Sequence, residues 1–219
     1  MSTAAVPPSL TFAELHDRLG NVPLERIRMQ PPPGLATVAD VLEIERRENR
    51  ICELVDGVLV EKVMGYQESR IALILAFALE AFVKEDDLGV VTGPDGMIRL
   101  PENLVRVPDV AFAFWERFEG GEIPDEGAPE IVPDLAVEVL SKGNTPLEMA
   151  RKLREYFRAG VRLVWFVDPV GRSVTVYTGP SRSKTIPEDG TLDGGKVLPG
   201  FELPVQKLFA RMKRKNRGK

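Results

Sequence analysis

Short apolar runs separated by turn residues characterise the central part of the chain. The run ICELV is followed by Asp56-Gly57 and then by VLVEKV. Because Asp-Gly favours the backbone of a tight two-residue turn, this pattern predicts a β-hairpin. The segment from Gln67 to about Lys84 carries Ile71, Leu75 and Leu79 at helical spacing. This periodicity predicts a long helix after the hairpin.

The second half of the chain combines strand and helix signals. Apolar runs predict strands near residues 88–92, 96–100, 107–113 and 134–141, with a Gly- and acid-rich loop at 119–133. Thr145-Pro146 followed by Glu148 is the pattern of a capping box, so we expect a helix from there to Ala159, ended by Gly160. Further strands are predicted for VRLVWFVD, SVTVYT and LPGFELP. This order of elements predicts an α/β (α+β) domain with a mixed sheet flanked by helices.

A proline-rich segment, residues 1–36, precedes this domain. It contains a predicted short helix at Phe12–Leu19, and we expect it to be a loosely attached arm. Thr37 is a candidate N-cap for a helix that ends near Arg46. The predicted domain then spans residues 37–209, and residues 210–219 form a basic tail.

The composition excludes several classes of protein. The 219 residues carry a formal net charge of −4, one cysteine (Cys52) and one histidine (His16). A single cysteine cannot form an intramolecular disulfide, which favours a reducing, cytoplasmic location. The single histidine lies in the N-terminal arm, which argues against a Ser-His triad or a histidine-ligated metal in the core. The start of the chain does not resemble a signal peptide.

Two further segments bear on possible partners. The longest apolar run, IALILAFALEAFV, is interrupted by Glu80 and is too short to span a bilayer, so we expect no membrane association. The last nine residues, RMKRKNRGK, include six Lys or Arg. Such a run is either a solvated end or a non-specific contact with nucleic-acid phosphates.

Two carboxylates interrupt apolar strands. Glu138 lies within LAVEVL, and Asp109 lies within VRVPDVAFAF. If the two strands are neighbours, these side chains can converge on one divalent cation such as Mg²⁺, which prefers a few carboxylates and leaves its other positions to water and substrate phosphate. The alternative is that both acids stand at strand ends and face solvent.

The same segments resemble a known family. The ordered series ELVDG, RVPDVAFA, PDLAVEVLS, ARKLREYFRAGV, VWFVDP and LPGFELP is similar to the Uma-two family of candidate restriction endonucleases, within the PD-(D/E)XK nuclease superfamily. The resemblance covers about residues 37–209. It implies a restriction-endonuclease-like mixed sheet flanked by helices, and cleavage of DNA phosphodiesters that depends on Mg²⁺ or Mn²⁺.

The resemblance also implies roles for individual residues. Asp109 matches the acid of the PD element, Glu138 matches the acid of the (D/E)XK element, and the Val139 carbonyl is a third metal ligand. The lysine expected two residues after Glu138 is replaced by Leu140. In this family the lysine is displaced into the next helix, where Lys152 matches it.

Several assignments stay open at this stage. Lys142 is an alternative to Lys152 if the strand continues that far. Glu68, at the start of the long helix, is either a site carboxylate or a favourable acid in a first helical turn. Glu53 either belongs to the site or orients the hairpin.

The expected function is a DNA endonuclease, and a homodimer would bring one site to each strand. One alternative is an inactive nuclease fold that serves as a DNA- or protein-binding scaffold. Another is a hydrolase that acts on a substrate other than nucleic acid.

Overall fold

A mixed six-stranded β-sheet forms the centre of the structure, a computed structural model that describes residues 11–210. The helices in this range are α1 (Phe12–Arg18), α2 (Val38–Glu48), α3 (Tyr66–Val83) and α4 (Pro146–Ala159). The strands are β1 (Cys52–Val55), β2 (Val58–Glu61), β3 (Gly89–Thr92), β4 (Ile98–Leu100), β5 (Leu104–Arg106), β6 (Val110–Phe114), β7 (Leu135–Val139), β8 (Leu163–Asp168), β9 (Ser173–Gly179), β10 (Arg182–Ile186), β11 (Thr191–Gly194) and β12 (Leu198–Pro204).

The strand order in the central sheet is β10-β9-β8-β7-β6-β3. Strands β7 and β8 are parallel, and every other pair of neighbours in this sheet is antiparallel. A parallel pair needs a crossover connection, and α4 provides it. The predicted mixed sheet flanked by helices is therefore confirmed.

The two faces of the central sheet are covered by different elements. On one face α3 and the β11–β12 hairpin pack against the odd-numbered positions of β7, Leu135, Val137 and Val139. On the other face α4 packs against Ala136, whose side chain points the opposite way. Glu138 shares this α4 face. No helix within residues 11–210 is long and apolar enough to cross a membrane.

A second sheet, with the order β2-β1-β5-β4, lies beside the first and carries α2. Its β1–β2 hairpin is the one predicted from Asp56-Gly57, and both turn residues have positive φ, 49° and 69°. The strand predicted near 107–113 is present as β6 but starts three residues later, and β5 was not predicted. Strand β5 ends at Arg106 in the second sheet, whereas β6 starts at Val110 in the first. Pro108 lacks a backbone N–H and cannot donate to a ladder, so the chain changes sheets there.

Residues 11–36 do not form a loose arm. Leu15, Leu19, Val22 and Ile27 are buried against the hairpin residues Val55, Val58 and Val60.

The backbone of this segment also touches the start of α4. A Cβ on Gly20, whose φ is +82°, would lie 2.6 Å from the backbone nitrogen of Glu148, so only glycine permits this approach. The domain boundary at residue 37 stays a prediction, and the basic tail 211–219 lies outside the described residues.

Candidate active site

Asp109 and Glu138 lie close together where two neighbouring strands meet, and both line one cavity. Strands β6 and β7 are antiparallel, with Val110 opposite Val137. Asp109 lies in the bend just before β6, and its backbone N–H donates to the carbonyl oxygen of Val137. Asp109 and Glu138 are each only 4% exposed. Strands β6 and β7 are neighbours, which the sequence analysis required for a shared cation site. Neither acid faces solvent.

Asp109 has a donor on each carboxylate oxygen. The backbone N–H of Val139 donates to Oδ2 over 2.6 Å. The ammonium group of Lys62, which follows β2, lies 2.7 Å from Oδ1. The sequence contained no signal for Lys62, because this contact joins segments 47 residues apart that belong to different sheets.

Glu138 lies between α4 and the sheet. The hydroxyl of Tyr156 donates to its Oε1 over 2.6 Å, and the ammonium group of Lys152 lies 3.2 Å from Oε2. Burial raises the pKa of Glu138, and the neighbouring carboxylate of Asp109 adds to this effect, although Lys152 opposes it. Tyr156 is fully buried, as expected for a core residue, but it also orients this carboxylate.

Lys152 lies between two carboxylates. Besides Glu138, it contacts Glu53 of β1, with 2.9 Å between Nζ and Oε1. Burial acts to lower the pKa of Lys152, but the charges of Glu138 and Glu53 outweigh it, so the pKa lies above its usual value. The residue is 3% exposed, which confirms the prediction that its side of α4 faces the sheet.

Glu53 reaches beyond the hairpin and pairs with charged side chains of other elements. Its Oε2 lies 2.6 Å from a guanidinium nitrogen of Arg106, which in turn pairs with Glu155 of α4. Burial acts to raise the pKa of Glu53, but Lys152 and Arg106 outweigh it and hold the pKa well below its usual value. Glu53 therefore remains ionised and anchors the charge of Lys152.

The predicted site residues line one small cavity. Its volume is about 20 Å³, enough for a single water molecule or ion, and its walls include Asp109, Glu138, Val139, Glu68 and Lys152. Glu68 is half-buried in the first turn of α3 and lines this cavity. From the sequence alone it was undecided whether Glu68 lies near the site or is only a favourable acid in the first helical turn.

The backbone of Val139 also points toward Asp109. Val137 accepts a hydrogen bond from the N–H of Asp109, and Val139 donates one to its carboxylate. Because the N–H and C=O of one strand residue point to the same side, the Val139 carbonyl is directed to the Asp109 side.

These donors fit a hard cation that keeps part of its water shell. Within residues 11–210 no group of three or more His, Cys, Asp or Glu side chains is placed to enclose a metal ion. The cavity instead offers the carboxylates of Asp109 and Glu138, with Val139 on the same wall. Mg²⁺ is bound in this way, through one or two carboxylates, whereas metals that need a closed protein cage are not.

Lys142 does not reach the site. Strand β7 ends at Val139, because the backbone N–H and the hydroxyl of Ser141 turn to bond with the side chain of Asn144. Lys142 is exposed in the resulting turn. The alternative in which the strand continues to Lys142 is therefore wrong.

Arg26 from the N-terminal segment closes another wall of the cavity. It makes two hydrogen bonds, of 3.1 and 2.9 Å, to the carboxylate of Glu148 and donates to the carbonyl oxygens of Glu61 and Gly143. The expected capping box at Thr145 is consequently incomplete: Thr145 accepts from the Glu148 N–H, but the Glu148 side chain is drawn to Arg26. The sequence provided no signal for this pair, which is 122 residues apart.

The sheet topology and this pair of buried acids define a restriction-endonuclease-like α/β domain. A family model described as "Uma2: Putative restriction endonuclease" matches residues 38–206. The chain belongs to this family, and the resemblance drawn from the sequence is confirmed. The matched region begins after the segment that contains Arg26.

One solved structure shows the same architecture. It is described as "a putative nuclease belonging to DUF820 from Anabaena variabilis ATCC 29413" and superposes with a TM-score of 0.64 at 21% sequence identity. The match covers 73% of this chain and 89% of that chain. At this identity the likeness shows the fold alone. No curated protein matches the chain significantly.

Proposed function

We propose that this protein is an endonuclease that hydrolyses the phosphodiester bonds of DNA and depends on Mg²⁺ or Mn²⁺. The observation that carries the proposal is that the buried carboxylates of Asp109 and Glu138 line one cavity, with Lys152 beside them. Membership of a family described as restriction endonucleases supports the choice of nucleic acid as substrate.

Three groups would hold the metal ion: the carboxylates of Asp109 and Glu138, and the carbonyl oxygen of Val139. When bound there, the ion supplies a Lewis acid that polarises a phosphate oxygen and lowers the pKa of a coordinated water. Glu68, on the same wall, adds a fourth oxygen donor through its carboxylate, directly or through a water molecule.

Lys152 is the residue that would stabilise negative charge during the reaction. Glu53 and Glu138 keep it protonated and fix its position, so its charge is already in place when the phosphate becomes pentacovalent. A charge held ready in a site with little water stabilises a transition state more strongly than a solvated one. Glu53 acts here as a positioning residue for Lys152.

We extend the proposal to the assembly and its location. Cleavage of both strands of a duplex requires two sites, and a two-fold symmetric homodimer is the simplest assembly that provides them. Sedimentation equilibrium of the full chain, with and without duplex DNA, tests for this dimer. The lone cysteine is buried and fits a reducing compartment, so we place the protein in the cytoplasm.

A plasmid-nicking assay tests the proposed activity. Supercoiled DNA is incubated with the full chain in Mg²⁺, in Mn²⁺ and with a chelator, alongside Asp109→Asn and Glu138→Gln purified in the same way. We expect nicked and linear products only from the wild type with a divalent ion. Equal nicking by the variants would reveal a contaminating nuclease. DNA binding without cleavage under every condition would favour the scaffold alternative.

A further inference from the structure

Lys62 forms an ion pair with Asp109, whose carboxylate is one of the proposed metal ligands. Its ammonium group lies 2.7 Å from Oδ1 of Asp109 and also donates to the carbonyl oxygen of Val107. Since Val139 already donates to Oδ2, both oxygens of Asp109 have partners within the protein. A cation that coordinates Asp109 in this cavity must share its lone pairs with Lys62 or displace it.

Two lysines, Lys62 and Lys152, line the cavity, and their side chains are held by different contacts. Lys152 contacts two carboxylates, and one of these, Glu53, would stay free to hold it after a metal ion binds Glu138. Lys62 contacts a single carboxylate, and its side chain is 10% exposed compared with 3% for Lys152. Lys62 is therefore the lysine that can withdraw toward solvent when a second positive charge enters.

We propose that Lys62 is a displaceable counter-ion: it neutralises Asp109 in the metal-free protein and competes with the divalent ion for that carboxylate. The inference rests on the proposed metal site. Its consequence is that Lys62 weakens metal binding, whereas Lys152, which contacts Glu138, is retained by its second partner, Glu53. Metal affinity would then be set by an ion pair between the two sheets as well as by the ligands themselves.

Isothermal titration of Mn²⁺ into the full chain tests the competition. Lys62→Met keeps the length of the side chain and removes its charge, and we expect it to bind Mn²⁺ about tenfold more tightly than wild type. Lys62→Gln serves if the methionine variant does not fold. Lys142→Met is the matched control, because it removes one exposed positive charge near the site without touching Asp109, and its affinity should equal that of wild type.

The possible outcomes separate this inference from the proposed function. If wild type binds Mn²⁺ and the Lys62 variants bind it equally or more weakly, the counter-ion role is wrong and the metal site stands. If wild type and folded Lys62 variants all fail to bind Mn²⁺, the metal site and the inference are both wrong.

A double-mutant cycle of Lys62→Met and Asp109→Asn, measured by denaturant unfolding in chelator, tests the ion pair without any metal. Additive effects on the free energy of unfolding would overturn the counter-ion role.

Discussion

The ammonium group of Lys152 lies 2.9 Å from Oε1 of Glu53, a carboxylate on the second sheet. This contact joins α4, which packs on the central sheet, to β1 of the second sheet. Because both groups are buried and oppositely charged, each needs the other, and the site depends on the docking of the two sheets.

Replacing Lys152 by alanine should reduce catalysis while leaving metal binding intact. In the proposed mechanism the lysine acts on charge that develops in the transition state, so we expect kcat to fall by roughly 10²–10³-fold with little change in the affinity for Mg²⁺ or DNA. Single-turnover cleavage and calorimetry measure the two effects. Lys142→Ala, in the exposed turn, is the control and should retain wild-type rates.

The same variant should also be less stable. Removing Lys152 leaves Glu138 and Glu53 with less compensation in a buried site, and a loss of about 3 kcal/mol or more in the free energy of unfolding is expected. Full activity in Lys152→Ala would show that this lysine is not catalytic.

Asp109→Asn and Glu138→Gln should each abolish Mg²⁺ binding while the fold survives. Each variant removes one of the two cavity carboxylates, and the remaining oxygen donors are too few for a doubly charged ion. Calorimetry gives the affinity, and far-UV circular dichroism checks the fold. Asp95→Asn, in an exposed turn, is a matched control. Unchanged affinity in both site variants would refute the metal assignment.

Glu53→Gln should destabilise the protein at neutral pH, and this difference in stability should disappear in acid. The pKa of Glu53 is lowered in the folded state, so the carboxylate contributes stability above its unfolded pKa, about 4.3, and this contribution disappears as the pH falls further. We expect a cost of about 3 kcal/mol at pH 7. The gap between wild type and variant should narrow steadily below about pH 4.

Urea unfolding at a series of pH values measures this gap. Glu43→Gln, which removes one partner of a solvent-exposed ion pair, should cost no more than about 0.5 kcal/mol at any pH. A constant difference between wild type and Glu53→Gln from pH 7 to pH 3 would contradict the lowered pKa.

Arg26→Met should destabilise the domain although Arg26 lies outside the region matched by the family model. The change leaves Glu148 buried without its partner, which costs about 3–5 kcal/mol for a buried pair. Arg46→Met, which removes an exposed pair with Glu43, should cost at most about 0.5 kcal/mol. Thermal unfolding compares the stability of the Arg26→Met and Arg46→Met variants. An equal loss of stability in both would mean that residues 11–36 do not support the site.

Deleting residues 211–219 should weaken DNA binding without altering the fold. Six positive charges neutralise several phosphates, so the plot of log K against log salt concentration should become shallower by up to about 0.9 for each phosphate that is no longer neutralised. Fluorescence anisotropy at several salt concentrations measures this slope. A variant in which the six Lys and Arg are replaced by Gln separates charge from chain length. If both altered proteins bind like wild type, the tail is only a solvated end.

Local signals in the sequence were enough to predict most of the helices and strands. The Asp56-Gly57 turn, the Thr145 N-cap and the alternation around Glu138 each depend on residues within a few positions of one another. Short-range preferences for φ and ψ and for side-chain direction act at that distance. The two acids in apolar strands could therefore be recognised as unusual, and the family resemblance supplied their roles.

Tertiary structure decided what surrounds those acids. The contacts of Lys62 with Asp109, of Glu53 with Lys152 and of Arg26 with Glu148 join segments 47, 99 and 122 residues apart. Periodicity describes which face of a strand is apolar, but it contains no information on which strands pair or how two sheets dock. The buried charges were compensated only when the hairpin, α4 and residues 11–36 packed together, because a charge in a low-dielectric interior requires a partner within a few ångströms.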